Sequence, residues 1–176
     1  MVLDYLGTAA AEGWPAIFCE CNACRRAAES GGRNIRSRSQ ALVNGELLID
    51  LPADTCSRVL TGRLHLSGIR SCLITHSHSD HLYTADLEMR RTGFAYPTDD
   101  LPFILYGTNI AGKTIREVLA RYNLERDGRV LFHPVTPLRP FSVGRYTVTA
   151  LPADHDPASG PVIYLINDGE KHLLYA

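Results

Sequence analysis

Thr75-His76-Ser77-His78-Ser79-Asp80-His81 sets three imidazoles and a carboxylate close together, directly after the apolar run Cys72-Leu73-Ile74. A short apolar run that stops at such a cluster reads as a buried strand delivering side chains to the rim of a sheet. His76 and His78 are two apart, so an extended backbone brings both rings out on one side. Asp80 and His81 follow where the chain turns towards a helix, and they aim at a second point nearby. Nitrogen and carboxylate donors converging this densely suit Zn²⁺ or a similar transition ion. Ligands directed at two neighbouring points favour a metal pair over a single ion. The plainer alternative is a polar loop whose histidines only hydrogen-bond one another.

A second cluster lies upstream, in Cys19-Glu20-Cys21-Asn22-Ala23-Cys24. Three thiolates at this C-x-C-x-x-C spacing can hold one face of a tetrahedral zinc whose fourth ligand comes from elsewhere. Three reduced cysteines packed as small hydrophobes are the alternative. Arg33, Arg36 and Arg38 then punctuate a polar stretch. A solvated loop and a phosphate contact are both open for these charges, and Arg38, next to a strand, is the foremost candidate for the contact.

The run His76-x-His78-x-Asp80-His81 resembles the HxHxDH signature of the metallo-β-lactamase fold. The cysteine cluster, with Leu6-Gly7-Thr8 before it and the arginine-serine stretch after it, narrows the resemblance. It looks like the branch containing the phosphoribosyl cyclic phosphate phosphodiesterase, where a comparable cysteine cluster and a C-terminal His hold a structural zinc. The pyrroloquinoline-quinone synthesis B protein has a similar opening segment.

The resemblance implies an α/β fold, the metallo-β-lactamase αββα sandwich, over residues 1–176, with two mainly mixed sheets between helices. It implies that His76, His78 and the distant His155, at the end of a later strand, hold one zinc. Asp80 and His81 help to hold the other and serve catalysis, Asp80 by orienting the nucleophile. Asp50, at the end of the strand Leu48-Ile49-Asp50, would support a metal-bound His from behind; accepting the distal N–H fixes the tautomer. The complete protein would carry two catalytic zincs and one structural zinc, with manganese or iron as alternatives in the pair. Two ions about 3.5–4 Å apart would bring the pKa of a bridging water down to about 7. The implied reaction is hydrolysis of a small-molecule phosphodiester. Thioester or lactam hydrolysis on the same metals is an alternative, since one fold hosts many chemistries. A non-catalytic metal-binding accessory role is another.

In that family the strand corresponding to Leu173-Leu174-Tyr175 runs into a metal-bridging Asp. Further histidines for the second metal and for the cysteine site come later still. None of these three ligands falls within this sequence, which reads as C-terminally truncated, about the first two-thirds of the fold. A metal pair held on one side by Asp80 and His81 alone would be weakly bound. One face of the second sheet would be exposed, inviting aggregation or a homodimer.

The elements that must position these residues are legible in outline. The 176 residues are 45% hydrophobic and 21% charged, ordinary values for one domain with its own core. A net charge of −1 gives no electrostatic case for a nucleic-acid or membrane-surface partner. The opening Met1-Val2-Leu3-Asp4 has no signal-peptide character, and no apolar run is long enough to span a membrane. Five cysteines, three of them clustered, favour thiolates in a reducing compartment, by default the cytoplasm. Strands are predicted over Val2–Leu6, Phe103–Tyr106, Val130–Phe132 and Gly144–Leu151. Asn44-Gly45 marks a hairpin joining Ala41–Val43 to Glu46–Ile49, and a second hairpin pairs Val162–Ile166 with His172–Tyr175. Helices are predicted over Cys24–Ser30, from an Asp54 cap towards Leu64, over Leu82–Arg91, and from Asn109 to Tyr122. The last carries an apolar stripe of Ile115, Val118, Leu119 and Tyr122. Residues 92–100 read as an irregular excursion in which Phe94 and Tyr96 could line a substrate entrance.

Overall fold

A computed structural model describes residues 1–97 and 99–176; Thr98, inside the predicted excursion, lies outside the described residues. Six strands form the first sheet in sequence order: β1 (Leu3–Gly7), β2 (Gln40–Val43), β3 (Leu47–Ile49), β4 (Ser71–Leu73), β5 (Phe103–Gly107) and β6 (Val130–Pro134). The first three run antiparallel, and β3 to β6 are parallel. A second sheet comprises β7 (Pro140–Val143), β8 (Tyr146–Pro152), β9 (Val162–Asn167) and β10 (His172–Tyr175), in the order β10-β9-β8-β7. Every pairing in it is antiparallel, so only one of the two sheets is mixed, against the expectation of two. Its strands are joined by tight hairpins or a short loop, which permit only antiparallel neighbours.

The continuous apolar runs of the central strands have a direct cause: both faces of the first sheet are covered. Leu48, Cys72, Ile74 and Leu105 face a core shared with Ile115 and Leu119 of the helix α3 (Asn109–Arg121). Leu47, Ile49 and Leu73 face the other way, into a core with Val148, Tyr164 and Ile166 of the second sheet. Each such side chain fully removed from water contributes about 1.5–3 kcal/mol before entropy is counted. The Asn44-Gly45 hairpin forms with φ of 50° and 74° at its two central residues, the left-handed pair that matches strand twist.

The helices differ in part from expectation. The helix α1 spans Asn22–Ser30 and stops at Gly31, φ 60°, as predicted. The helix α2 is Asp54–Leu60, shorter than its pattern, and Asp54 pairs with Arg38 instead of capping the helix end. Over Leu82–Arg91 no α-helix forms; Thr84–Arg90 winds into 3₁₀ turns. Leu82 N–H closes a single α-turn onto His78 O, but Tyr83 N–H bonds Leu51 O instead of Ser79 O, so the turn is not continued as an α-helix. The strand β7 carried no usable signal, because Pro140 and Ser142 interrupt its two apolar residues and it sits at a sheet edge.

Candidate metal centre

The parallel strands place the chemistry at their C-terminal ends, as open α/β sheets do. Asp50 follows β3, His76 to His81 follow β4, and His155 follows β8 in the second sheet. The loop after β4 is fixed on several sides. Ile74 N–H donates to Tyr106 O at 2.7 Å, and the buried Tyr164 hydroxyl donates to Ile74 O at 2.8 Å. Val162 N–H donates to Thr75 O at 2.9 Å, and Ser77 N–H to Ser159 O at 3.1 Å. Leu51 N–H reaches His81 O at 2.7 Å. The histidines therefore stand on a frame built from both sheets.

The structure brings His76, His78 and His155 together, with one ligand atom of each inside a 4.8 Å set. Ring centroids of His76 and His78 are 4.8 Å apart, and His155 lies 4.9 and 5.1 Å from them. His155 Nε2 is 3.3 Å from His78 Nδ1. Two nitrogens bound at about 2.0–2.1 Å to one tetrahedral zinc would be separated by about 3.3–3.4 Å, so the donor set fits that ion. Burial pulls the His76 pKa down to about 4, helped by the neighbouring His81, His78 and His155. Its ring is thus neutral at ordinary pH, the form that binds metal.

Asp80 and His81 form the second group. His81 Nε2 stands 3.5 Å from Asp80 Oδ2, too long for a strong hydrogen bond but suited to two ligands of one ion. The other ring nitrogen, His81 Nδ1, lies 2.6 Å from Asp50 Oδ2. Burial alone would lower the His81 pKa; the Asp50 hydrogen bond and charge, with Asp80, outweigh it and raise the value. Asp50 is fully buried with φ 65° and also accepts from Thr75 N–H at 2.8 Å and from its hydroxyl at 2.9 Å. The histidine that Asp50 braces is therefore His81, not His76 or His78.

Two further contributors, one in the metal stretch and one beside His155, have no role that the sequence assigns. Thr75 Oγ1 touches Asp50, His76 Nδ1 at 3.0 Å and His81 Nδ1 at 3.3 Å, linking both groups. Asp156 Oδ2 lies 3.1 Å from His78 Nε2, while Asp154 makes no such contact. Arg38 is not available for phosphate: Nη1 is 3.0 Å from Asp54 Oδ2 and Nε donates to Ala11 O at 2.8 Å. Phe94 stacks with Arg91, and neither it nor Tyr96 lines the histidine cleft. That cleft, about 450 Å³, is lined also by Ala10, Glu12, Ile163 and Tyr175.

The cysteine cluster also assembles. Cys19, Cys21 and Cys24 bring their sulfurs within 4.8 Å of one another. Cys21 caps α1, its sulfur accepting Cys24 N–H at 3.5 Å. That hydrogen bond, with Cys19 and Cys24 beside it, lowers the Cys21 pKa to about 7. A thiolate at a helix start is the form a zinc takes. Cys21→Ser is expected to remove one tightly held zinc per chain after dialysis while the histidine site keeps its metal. Elemental analysis of the two proteins checks this, and equal zinc content would refute it.

The histidine-lined cleft at the strand ends, on two packed sheets, defines a metallo-β-lactamase-type protein. The sequence matches the Beta-lactamase superfamily domain over residues 49–176, and the chain belongs to that superfamily. Among curated relatives it is 24% identical over 142 residues to Ribonuclease Z of Mycobacterium sp. (strain KMS), covering 73% of this chain and 50% of that protein. The chain thus spans about half the length of the curated relatives it matches. Zinc-bound PqqB of Methylobacterium extorquens superposes with a TM-score of 0.70 at 24% identity, covering 98% of this chain and 61% of that one. The short form of human tRNase Z gives 0.59 at 16% identity, covering 98% and 67%. No described helix is long and apolar enough to cross a membrane.

Proposed function

We propose that the chain carries the metal-binding residues of a phosphodiester hydrolase. The observation that carries this reading is the pairing of two donor groups in one cleft: His76, His78 and His155, with Asp80 and His81 beside them. We assign the first three to one zinc and the latter two to a second, with Asp50 bracing His81, and the thiolates of Cys19, Cys21 and Cys24 to a structural zinc. Bound in the pair, zinc supplies Lewis acidity and an activated water.

The chain's own residues do the rest. Thr75 and Asp50 hold the His81 ring so that Nε2 faces the cleft. Asp80 orients the attacking water through its carboxylate. Tyr175, 3.3 Å from Ser39 Oγ, lines the cleft, and burial pushes its pKa to about 12. Its hydroxyl, protonated at neutral pH as any phenol is, serves as a donor for a phosphoryl oxygen. Similarity to Ribonuclease Z supports a phosphodiester over an acyl substrate.

The test is a panel on this chain after incubation with zinc or manganese: bis(p-nitrophenyl) phosphate, a 2′,3′-cyclic nucleotide, nitrocefin and an aryl thioester. Phosphodiester turnover that stops with chelator and returns with metal is expected. Turnover of the acyl substrates alone would replace this reading with acyl hydrolysis. Bound zinc with no turnover of any substrate would replace this reading with a non-catalytic metal-binding role.

A further inference from the structure

The histidine cleft does not end at Glu12. It shares Ala10 and Glu12 with a second depression of about 430 Å³, which in turn shares Thr8 and Arg36 with a third of about 380 Å³. The three depressions therefore adjoin, and the outermost is a recess lined by Arg33, Arg36 and Arg63. All three arginines are exposed, and among the described residues none of their guanidiniums makes a hydrogen bond or an ion pair. No carboxylate lines this recess.

A fourth guanidinium lies underneath. Arg58 is 3% exposed and donates to uncharged acceptors: Gln40 Oε1, Ser37 Oγ at 2.6 Å and Arg38 O at 2.6 Å. Its Nε has no partner. Burial lowers its pKa to about 10, which still leaves it charged at neutral pH, and Asp54, already paired with Arg38, offsets that charge only in part. Gly7 makes the arrangement possible, because a side chain there would strike Arg38 O and the Arg58 guanidinium.

The scaffold is preorganised. Arg36 and Trp14 exchange backbone hydrogen bonds of 2.7 and 2.8 Å, and Thr8 and Ala9 N–H both hold Ser37 O, at 3.0 and 2.9 Å. Several like charges gathered without counter-charge repel one another and favour an incoming anion. Guanidinium forks match phosphate oxygens in geometry as well as charge.

We propose that Arg33, Arg36 and Arg63 form a subsite for a second phosphate group of the substrate, one that lies beyond the phosphodiester held at the histidines. This rests on the phosphodiester reading of the histidine cleft. Tyr5, 61% exposed and lining the same recess, offers an aromatic face to the ring attached to that phosphate. The group is either the next phosphate of a single nucleic-acid strand or the terminal phosphate of a small nucleotide.

The experiment is fluorescence anisotropy of 5′-fluorescein hexauridylate at about 50 mM salt, where phosphate contacts are least screened, with inorganic pyrophosphate and AMP as competitors. The triple variant Arg33→Gln/Arg36→Gln/Arg63→Gln is expected to weaken the strand and pyrophosphate by at least about tenfold and to flatten the salt dependence. Its circular dichroism melt should match wild type, since all three side chains are exposed. A strand held far more tightly than AMP identifies a nucleic-acid source; similar affinities identify a small nucleotide. Equal affinities for variant and wild type, or no binding by wild type, overturn the subsite. His76→Ala should leave pyrophosphate binding intact. Arginine-dependent binding in a protein that never cleaves a diester would sink the hydrolase reading and leave the subsite standing.

Discussion

Replacing His76 with alanine is expected to strip the histidine site of its metal and lower phosphodiester turnover by at least about a thousandfold. Metal Lewis acidity contributes several kcal/mol, and each tenfold in rate is about 1.4 kcal/mol. His76 matters most because it is central: its ring centroid is 4.1 Å from His81, 4.8 Å from His78 and 4.9 Å from His155. It is also the buried member of its triad, and the one whose pKa burial holds near 4. The other two are more exposed. Elemental analysis after dialysis is the readout that does not depend on activity. Zinc should fall by one or more per chain in His76→Ala, while the zinc proposed for the cysteine site should persist. Unchanged metal and unchanged turnover would show that the imidazoles are only hydrogen-bonded neighbours.

Asp50→Ala is expected to cost about 3 kcal/mol of folding stability, because it leaves buried donors without their acceptor. Thr75 N–H, Thr75 Oγ1 and His81 Nδ1 all converge on this one carboxylate. The left-handed backbone at Asp50 adds to the effect, since alanine tolerates φ 65° less well than Asp or Asn. Asp50→Asn separates the two contributions. It keeps the shape and one acceptor for Thr75 N–H, so the stability loss should shrink to about 1 kcal/mol. The charge that fixes His81 is gone, so affinity at the Asp80–His81 position should still fall about 10–100-fold. Urea denaturation measures the first effect and metal titration the second. A urea midpoint for Asp50→Ala no lower than that of a surface substitution would refute the bracing role.

Much of this site is local in the chain. His76, His78, Asp80 and His81 lie within one short turn after a buried strand, so their spacing alone brings them together. The cysteine cluster is local in the same way, with Cys21 at a helix start. The apolar runs of β3, β4 and β5 also declare themselves, because strands covered on both faces have no polar side to display.

Other features depend on what folding places opposite. His155 joins His76 only because the second sheet packs across the first, a contact between residues far apart in sequence. Thr75, Tyr164 and Asp156 matter by position, each meeting a group far away in the chain: Asp50, Ile74 and His78. The Leu82–Arg91 pattern reads as a helix, yet Tyr83 N–H bonds Leu51 O instead of continuing the helical ladder. Arg38 is the foremost candidate in sequence if any of these charges meets phosphate, but Asp54 claims it. The unpaired cluster joins Arg33 and Arg36 instead with Arg63, a residue on no sequence pattern. The sequence by itself determined the chemical type of the ligands and the strands that carry them, because both are set by neighbours along the chain. The tertiary structure decided which histidine Asp50 braces and which arginines lack a counter-charge, because those depend on distances that arise when separate elements pack.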